Sequence, residues 1–86
     1  HEQIQLMVAP NPFQNQTSVE INLPLSKTIR YEVVDLQGRK IQSNELNLPA
    51  GKTSFDLDLS AVSEGLYLLN VYHGNEIISR KLSVNR

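Results

Sequence analysis

Apolar residues recur at every second position of this chain, in one short stretch after another. Ile4, Leu6 and Val8 alternate with Gln5 and Met7; Val19, Ile21 and Leu23 alternate with Glu20 and Asn22. Ile29, Tyr31 and Val33 alternate with Arg30 and Glu32, and Phe55, Leu57 and Leu59 with Asp56 and Asp58. A period of two is the repeat of a β-strand with one face buried. No segment keeps the 3.6-residue period of an amphipathic helix. The chain therefore has to solve its burial problem with sheets.

The punctuation between the stretches agrees. Pro10-Asn11-Pro12 stops the first strand, and each proline pushes the residue before it, Ala9 and Asn11, toward extended geometry. Pro24 ends the second. Asp35-Leu36-Gln37-Gly38 has the chemistry of a type I turn, with Asp first and a Gly able to take positive φ fourth. Residues from Arg39 to about Glu45 return as its hairpin partner. Pro49-Ala50-Gly51 punctuates the middle, and Ser60 to Gly65 forms a short loop with room for one helical turn. Leu66 to His73 is the most apolar stretch: Tyr67, Leu69 and Val71 share one face, and Leu66 and Leu68 the other. Apolar residues on both faces predict a central strand. Gly74-Asn75 fits a two-residue hairpin loop in which both residues tolerate positive φ, and Glu76 to Val84 returns antiparallel. The sum is an all-β chain of roughly seven short strands at the spacing of a sandwich or small barrel.

Length bounds the rest. Eighty-six residues make one domain, spanning 1–86 with strands beginning near residue 4. A chain of this size buries roughly 60–65% of its unfolded surface, so its stability margin is modest. It leaves no room for both a packed core and a deep catalytic cleft. With no cysteine, disulfides, thiolate catalysis and cysteine metal sites are excluded. The formal net charge of -1 and the lack of a basic stripe argue against a nucleic-acid partner. No apolar run nears the roughly 20 residues that span a bilayer, so direct membrane insertion is not expected. No signal peptide opens the chain, which reads as part of a longer protein.

The search for chemistry finds no catalytic, cofactor or metal site. His1 and His73 stand at a chain end and beside a hairpin turn, without ligand partners at metal spacing. Asp56 and Asp58 point the same way, as a calcium or acid–base pair would, but no EF-hand-type loop surrounds them. A solvent-facing strand is the better reading. No serine sits in a G-x-S-x-G elbow, and no Gly-rich phosphate loop occurs. Asn15-Gln16-Thr17 is a glycosylation sequon by letter only. Tyr31, Phe55 and Tyr67 fall on the apolar side of their strands and read as core. Tyr72 lies on the opposite face from Tyr67. An exposed Tyr72 is the one candidate ring for an Ig-like carbohydrate-binding or adhesive module.

A second pattern runs across these elements. Pro10-Asn11-Pro12-Phe13 is followed by Asp35-Leu36-Gln37-Gly38-Arg39 and Leu48-Pro49-Ala50-Gly51. Then come Leu59-Ser60-Ala61-Val62-Ser63-Glu64-Gly65-Leu66-Tyr67 and Arg80-Lys81-Leu82-Ser83-Val84. Each motif alone is weak. All of them in this order and spacing, over nearly the whole chain, resemble the type IX secretion C-terminal sorting domain that ends many secreted proteins of Bacteroidota-type bacteria.

The resemblance implies an Ig-like antiparallel β-sandwich. It implies a non-catalytic address, read by the outer-membrane translocon and its shuttle protein, on a cargo domain earlier in the same chain. It also implies removal by a sortase-type protease that joins the cargo to surface lipopolysaccharide. The cargo would pass through the periplasm to the outer-membrane surface or the extracellular space. By resemblance the signal residues are Pro10, Asn11 and Pro12 of the P-x-P motif, Asp35 and Gly38 of D-x-x-G, Gly65 and Tyr67 of G-x-Y, and Lys81, Leu82 and Val84 of the terminal K-x-x-V element.

Turn and core roles suffice physically for Asp35, Gly38 and Tyr67. Gly65 suits a positive φ or a close backbone approach before a buried strand. The last strand is different. At a sheet edge its unpaired backbone groups would be free to add to a partner's sheet, or to a second copy as a strand-paired dimer. Lys81 would face solvent there beside Ile77, Ser79 and Ser83. The Glu76–Arg86 strand is thus the expected recognition element. A passive spacer that stabilises an upstream enzyme is the third reading the sequence leaves open.

Overall fold

The computed structural model describes residues 4–86; His1 lies outside the described residues. Seven strands form: β1 (Gln5–Ala9), β2 (Gln16–Leu23), β3 (Lys27–Asp35), β4 (Lys40–Leu48), β5 (Gly51–Asp58), β6 (Gly65–His73) and β7 (Glu76–Val84). They make two sheets of order β1-β2-β5 and β4-β3-β6-β7, with every ladder antiparallel. No helix occurs among the described residues. The Ser60–Gly65 loop closes by a turn, Val62 N–H to Leu59 C=O at 3.2 Å, rather than by a helical one.

The alternation seen in the sequence decides which faces meet. Leu6, Val19, Ile21, Leu23 and Leu57 point inward from the smaller sheet. Ile29, Tyr31, Val33, Leu69, Val71, Leu82 and Val84 point inward from the larger. The Tyr31 and Phe55 rings stack with centroids 5.1 Å apart, joining the two layers. Each fully buried aliphatic side chain contributes about 2 kcal/mol by leaving water. Two facing sheets with this core form an Ig-like β-sandwich.

β6 is an interior strand, as its apolar content predicts. Its two faces differ, however. Tyr67, Leu69 and Val71 are buried, Leu68 is half-buried and Leu66 is exposed, because no strand among the described residues packs on the outer face of this sheet. β4 runs to Leu48, past the expected Glu45, because the ladder with β3 continues to Lys27. Opposite Val33 and Val34 the register skips Ile41, a bulge.

The turns follow their chemistry with one correction, at Asn75. Gly38 takes φ +89° and closes the Asp35–Gly38 turn by donating its N–H to Asp35 C=O at 3.0 Å. In the β6–β7 hairpin only Gly74 takes positive φ; Asn75 does not, the pattern of a type II′ turn. Gly65 is needed for its φ of +152° and not for close approach, since a Cβ there would meet nothing within 4 Å.

Candidate functional site

The motif residues, spread from Pro10 to Val84, come together at one end of the larger sheet. The ladders fix this. Asp35 at the end of β3 pairs with Tyr67 on β6, Tyr67 pairs with Leu82 on β7, and Gly65 pairs with Val84. Gly38 closes the turn that follows Asp35. Lys81 lies opposite Leu68, exposed on the outer face.

Asp35 is the hub of its turn. Oδ1 accepts from the Gln37 and Arg39 N–H groups at 3.0 and 2.9 Å, and Oδ2 from Arg39 Nε at 2.8 Å. These donors, the Arg39 backbone N–H foremost, hold the carboxyl below the usual carboxylate range. Tyr67 donates its hydroxyl proton to Ser63 C=O at 2.7 Å, four residues upstream, while its ring sits in the core. That is the geometry of a tyrosine corner at the start of a central strand. An open cleft of about 660 Å³ lies between the two motifs, with Leu36, Ile41 and Leu66 along its walls.

The P-x-P motif and the terminal strand form one structure. Asn11 Nδ2 donates to Lys81 C=O at 2.8 Å, and Asn11 Oδ1 accepts from Ser83 N–H at 3.0 Å. Phe13 continues the pairing in parallel with β7. Its N–H donates to Ser83 C=O at 3.0 Å, and its C=O accepts from Asn85 N–H at 2.8 Å. The Asn11 carboxamide thus takes the place of a peptide group on the β7 edge. Thr17 Oγ1 donates to Pro10 C=O at 2.5 Å and holds the other end of the segment. The peptide bonds before Pro10 and Pro12 are both cis.

This arrangement corrects one expectation. β7 is an edge strand, but the half carrying Lys81 to Val84 is not open. At the other half, Arg80 Nη1 donates to Ser79 C=O at 3.0 Å, and Nη2 to Leu6 C=O on β1 at 3.4 Å. A charge standing at the seam between two edges discourages strand addition.

Arg86 is an anchor that no sequence motif marks. Its backbone N–H donates to Glu64 Oε1 at 2.9 Å, Nε to Asn15 Oδ1 at 3.1 Å, and Nη2 to Leu59 C=O at 2.6 Å; Nη1 bonds Val62 C=O. The residue ties the end of β7 to the Leu59–Glu64 loop. No sequence signal pointed to this, because a lone arginine has no local pattern.

The other candidates fall elsewhere. Tyr72 is half-buried, with the Arg30 guanidinium 4.0 Å above its ring and its hydroxyl donating to Glu32 Oε1 at 2.7 Å. The ring is covered, not a platform. That hydrogen bond chiefly holds Glu32 below the usual carboxylate range, with Lys40 and Arg30 adding to it, and raises the Tyr72 hydroxyl. Asp56 accepts from Ser18 Oγ at 2.8 Å and Asp58 from Ser60 N–H at 3.0 Å, two separate surface roles on an edge strand. His73 Nδ1 lies 3.9 Å from Glu76 Oε1. Among the described residues no group of three His, Cys, Asp or Glu side chains is placed to share a metal ion.

Comparison with curated proteins finds no match. Comparison with protein families does: the model of the secretion system C-terminal sorting domain matches residues 7–85 of the 86-residue chain. The matched region takes in all seven strands but the first residues of β1, and every motif residue gathered at this end of the sheet. The chain belongs to that family, the C-terminal signal that sends proteins through type IX secretion across the outer membrane to the cell surface or the extracellular space.

Proposed function

We propose that the pole formed by Pro10–Phe13, the Asp35–Gly38 turn, Gly65, Tyr67 and the Lys81–Val84 end of β7 is the surface that the secretion machinery reads. One observation carries the reading: motif segments up to about 70 residues apart in sequence are bonded into a single structure. Pro10, Asn11, Pro12 and Lys81 present exposed side chains there. Asp35, Gly38, Gly65, Tyr67, Leu82 and Val84 set the backbone beneath them.

In this reading residues 1–86 are one module, an address carried by a cargo domain of the same chain and not itself a catalyst. The partners are the outer-membrane translocon and its shuttle protein. A sortase-type protease then removes the module and joins the cargo to surface lipopolysaccharide. The cargo reaches the outside by way of the periplasm. A strand-paired dimer through the Lys81–Val84 edge of β7 would have to displace Pro10–Phe13, and light scattering on the purified domain reads whether one forms.

The test is a fluorescent reporter fused ahead of the domain in a host with type IX secretion. The intact domain should deliver the reporter to the outside. Lys81→Ala at the pole should retain it inside, while Asp56→Ala on the far sheet should not. Equal export of all three fusions would overturn the reading. The carbohydrate-binding alternative needs an open ring, and the Arg30 guanidinium over Tyr72 stands against it.

A further inference from the structure

The segment that covers the end of β7 is an unusual strand. Pro10 and Pro12 have no N–H to give. The segment therefore meets β7 with one backbone N–H, one backbone C=O and the Asn11 carboxamide, four hydrogen bonds in all. Asn11, Pro10 and Pro12 are exposed, and Phe13 alone is buried, 5% exposed. An occupant with one buried anchor and a side chain standing in for backbone holds its place weakly. Its advantage is that it is tethered, which gives it a high effective concentration at the edge.

We propose that this stretch of the β7 edge is a docking groove, that Pro10–Phe13 is its displaceable occupant, and that the groove accepts an extended peptide running parallel to β7. The built-in segment specifies the ligand. An aromatic or large aliphatic side chain fills the Phe13 pocket. Two residues earlier, a carboxamide or a backbone amide meets Lys81 C=O and Ser83 N–H. A peptide without proline offers more backbone donors than the intrinsic segment and replaces it by strand addition. The site ends at Ser79, where Arg80 takes up the Ser79 and Leu6 carbonyls. The exchange would free the Lys81–Val84 strand for pairing, so its bearing on secretion rests on the reading of the pole given above.

Two measurements on the purified domain test the groove without any secretion system. Hydrogen exchange reads the Phe13, Ser83 and Asn85 amides, the three backbone donors of the covered edge. A displaceable segment opens locally, so these amides should exchange at least about tenfold faster than those of the β3–β6 ladder. Exchange at the ladder's rate would overturn the proposal. The second measurement titrates a synthetic peptide of residues 9–15, with Pro10→Ala and Pro12→Ala so that it offers the missing backbone donors, against the wild-type domain and Asn11→Ala. Loss of the carboxamide weakens the intrinsic occupant, and the peptide should bind the variant about tenfold more tightly. Equal affinity would also overturn the proposal. Should Asn11→Ala fail to fold, the exchange experiment on the wild type still decides. Failure of either leaves the reporter-export test, and the sorting reading it checks, untouched.

Discussion

The Asn11 carboxamide donates to the Lys81 carbonyl at 2.8 Å, across 70 residues of sequence, and accepts in return from Ser83 N–H. The early proline motif and the terminal strand are therefore parts of one structure. A β-sheet edge normally needs protection from chance pairing. Here the protecting group is a side chain shaped like the peptide bond it replaces.

Asn11→Ala should remove both hydrogen bonds and leave the fold intact. The site is exposed, so the cost is about 1 kcal/mol, a fall in melting temperature of about 4–8 °C for a domain this size. Thermal unfolding followed by circular dichroism reads it. An unchanged melting temperature would show that water replaces the carboxamide without loss.

Asp35 should make stability depend on acid. Its carboxyl is held below the ordinary range in the folded state, first by the Arg39 backbone N–H. A depressed folded pKa gives a contribution that is complete above the unfolded value, near 4. It is lost as pH falls below that value toward the lower folded one. Asp35→Asn should thus unfold at lower urea than wild type at pH 7, with the gap narrowing below about pH 4. A gap independent of pH would contradict the assignment.

Tyr67 holds two roles that substitution can separate. Tyr67→Phe keeps the ring in the core and loses the hydroxyl bond to Ser63 C=O. The expected cost is about 1 kcal/mol. Tyr67→Ala also empties the core position and should cost about 3–5 kcal/mol. Urea midpoints of the two variants give the split.

Lys81 and Leu82 are neighbours with opposite exposure. Lys81 is exposed and Leu82 is 0% exposed. Lys81→Ala should change stability by less than about 0.5 kcal/mol, and Leu82→Ala should cost about 2–5 kcal/mol. If the machinery reads Lys81 directly, Lys81→Ala loses export at unchanged stability. Leu82→Ala would lose export only in proportion to unfolding. Normal export of a stable Lys81→Ala fusion would remove Lys81 from the recognition surface.

Much of the fold is legible in the residues because its causes are local. The two-residue period of Val19, Ile21 and Leu23, or of Ile29, Tyr31 and Val33, assigns a strand and its buried face together. Asp35 and Gly38 mark a turn because only certain residues satisfy its φ and its hydrogen bonds. Where local reading fell short, the cause was a neighbour it could not see. Leu66 looks buried by type and is exposed, since no element among the described residues covers the outer face of β6. Tyr72 looks open by periodicity and is covered, since β3 brings Arg30 to it from across the ladder.

The pole where the motifs gather divides in the same way. The order of the motifs alone identified the family, and alternation alone established an all-β chain, because both are written along the backbone. Which motif touches which was decided by the tertiary structure. The β3–β6–β7 register sets Asp35, Tyr67 and Leu82 in one row, and chain return brings Asn11 to Lys81 and Arg86 to Leu59. Such contacts depend on pairing between strands far apart in sequence, and no period or turn residue encodes a partner at that distance. The last strand was expected to be an open edge; the fold closed its terminal half with the segment that precedes β2.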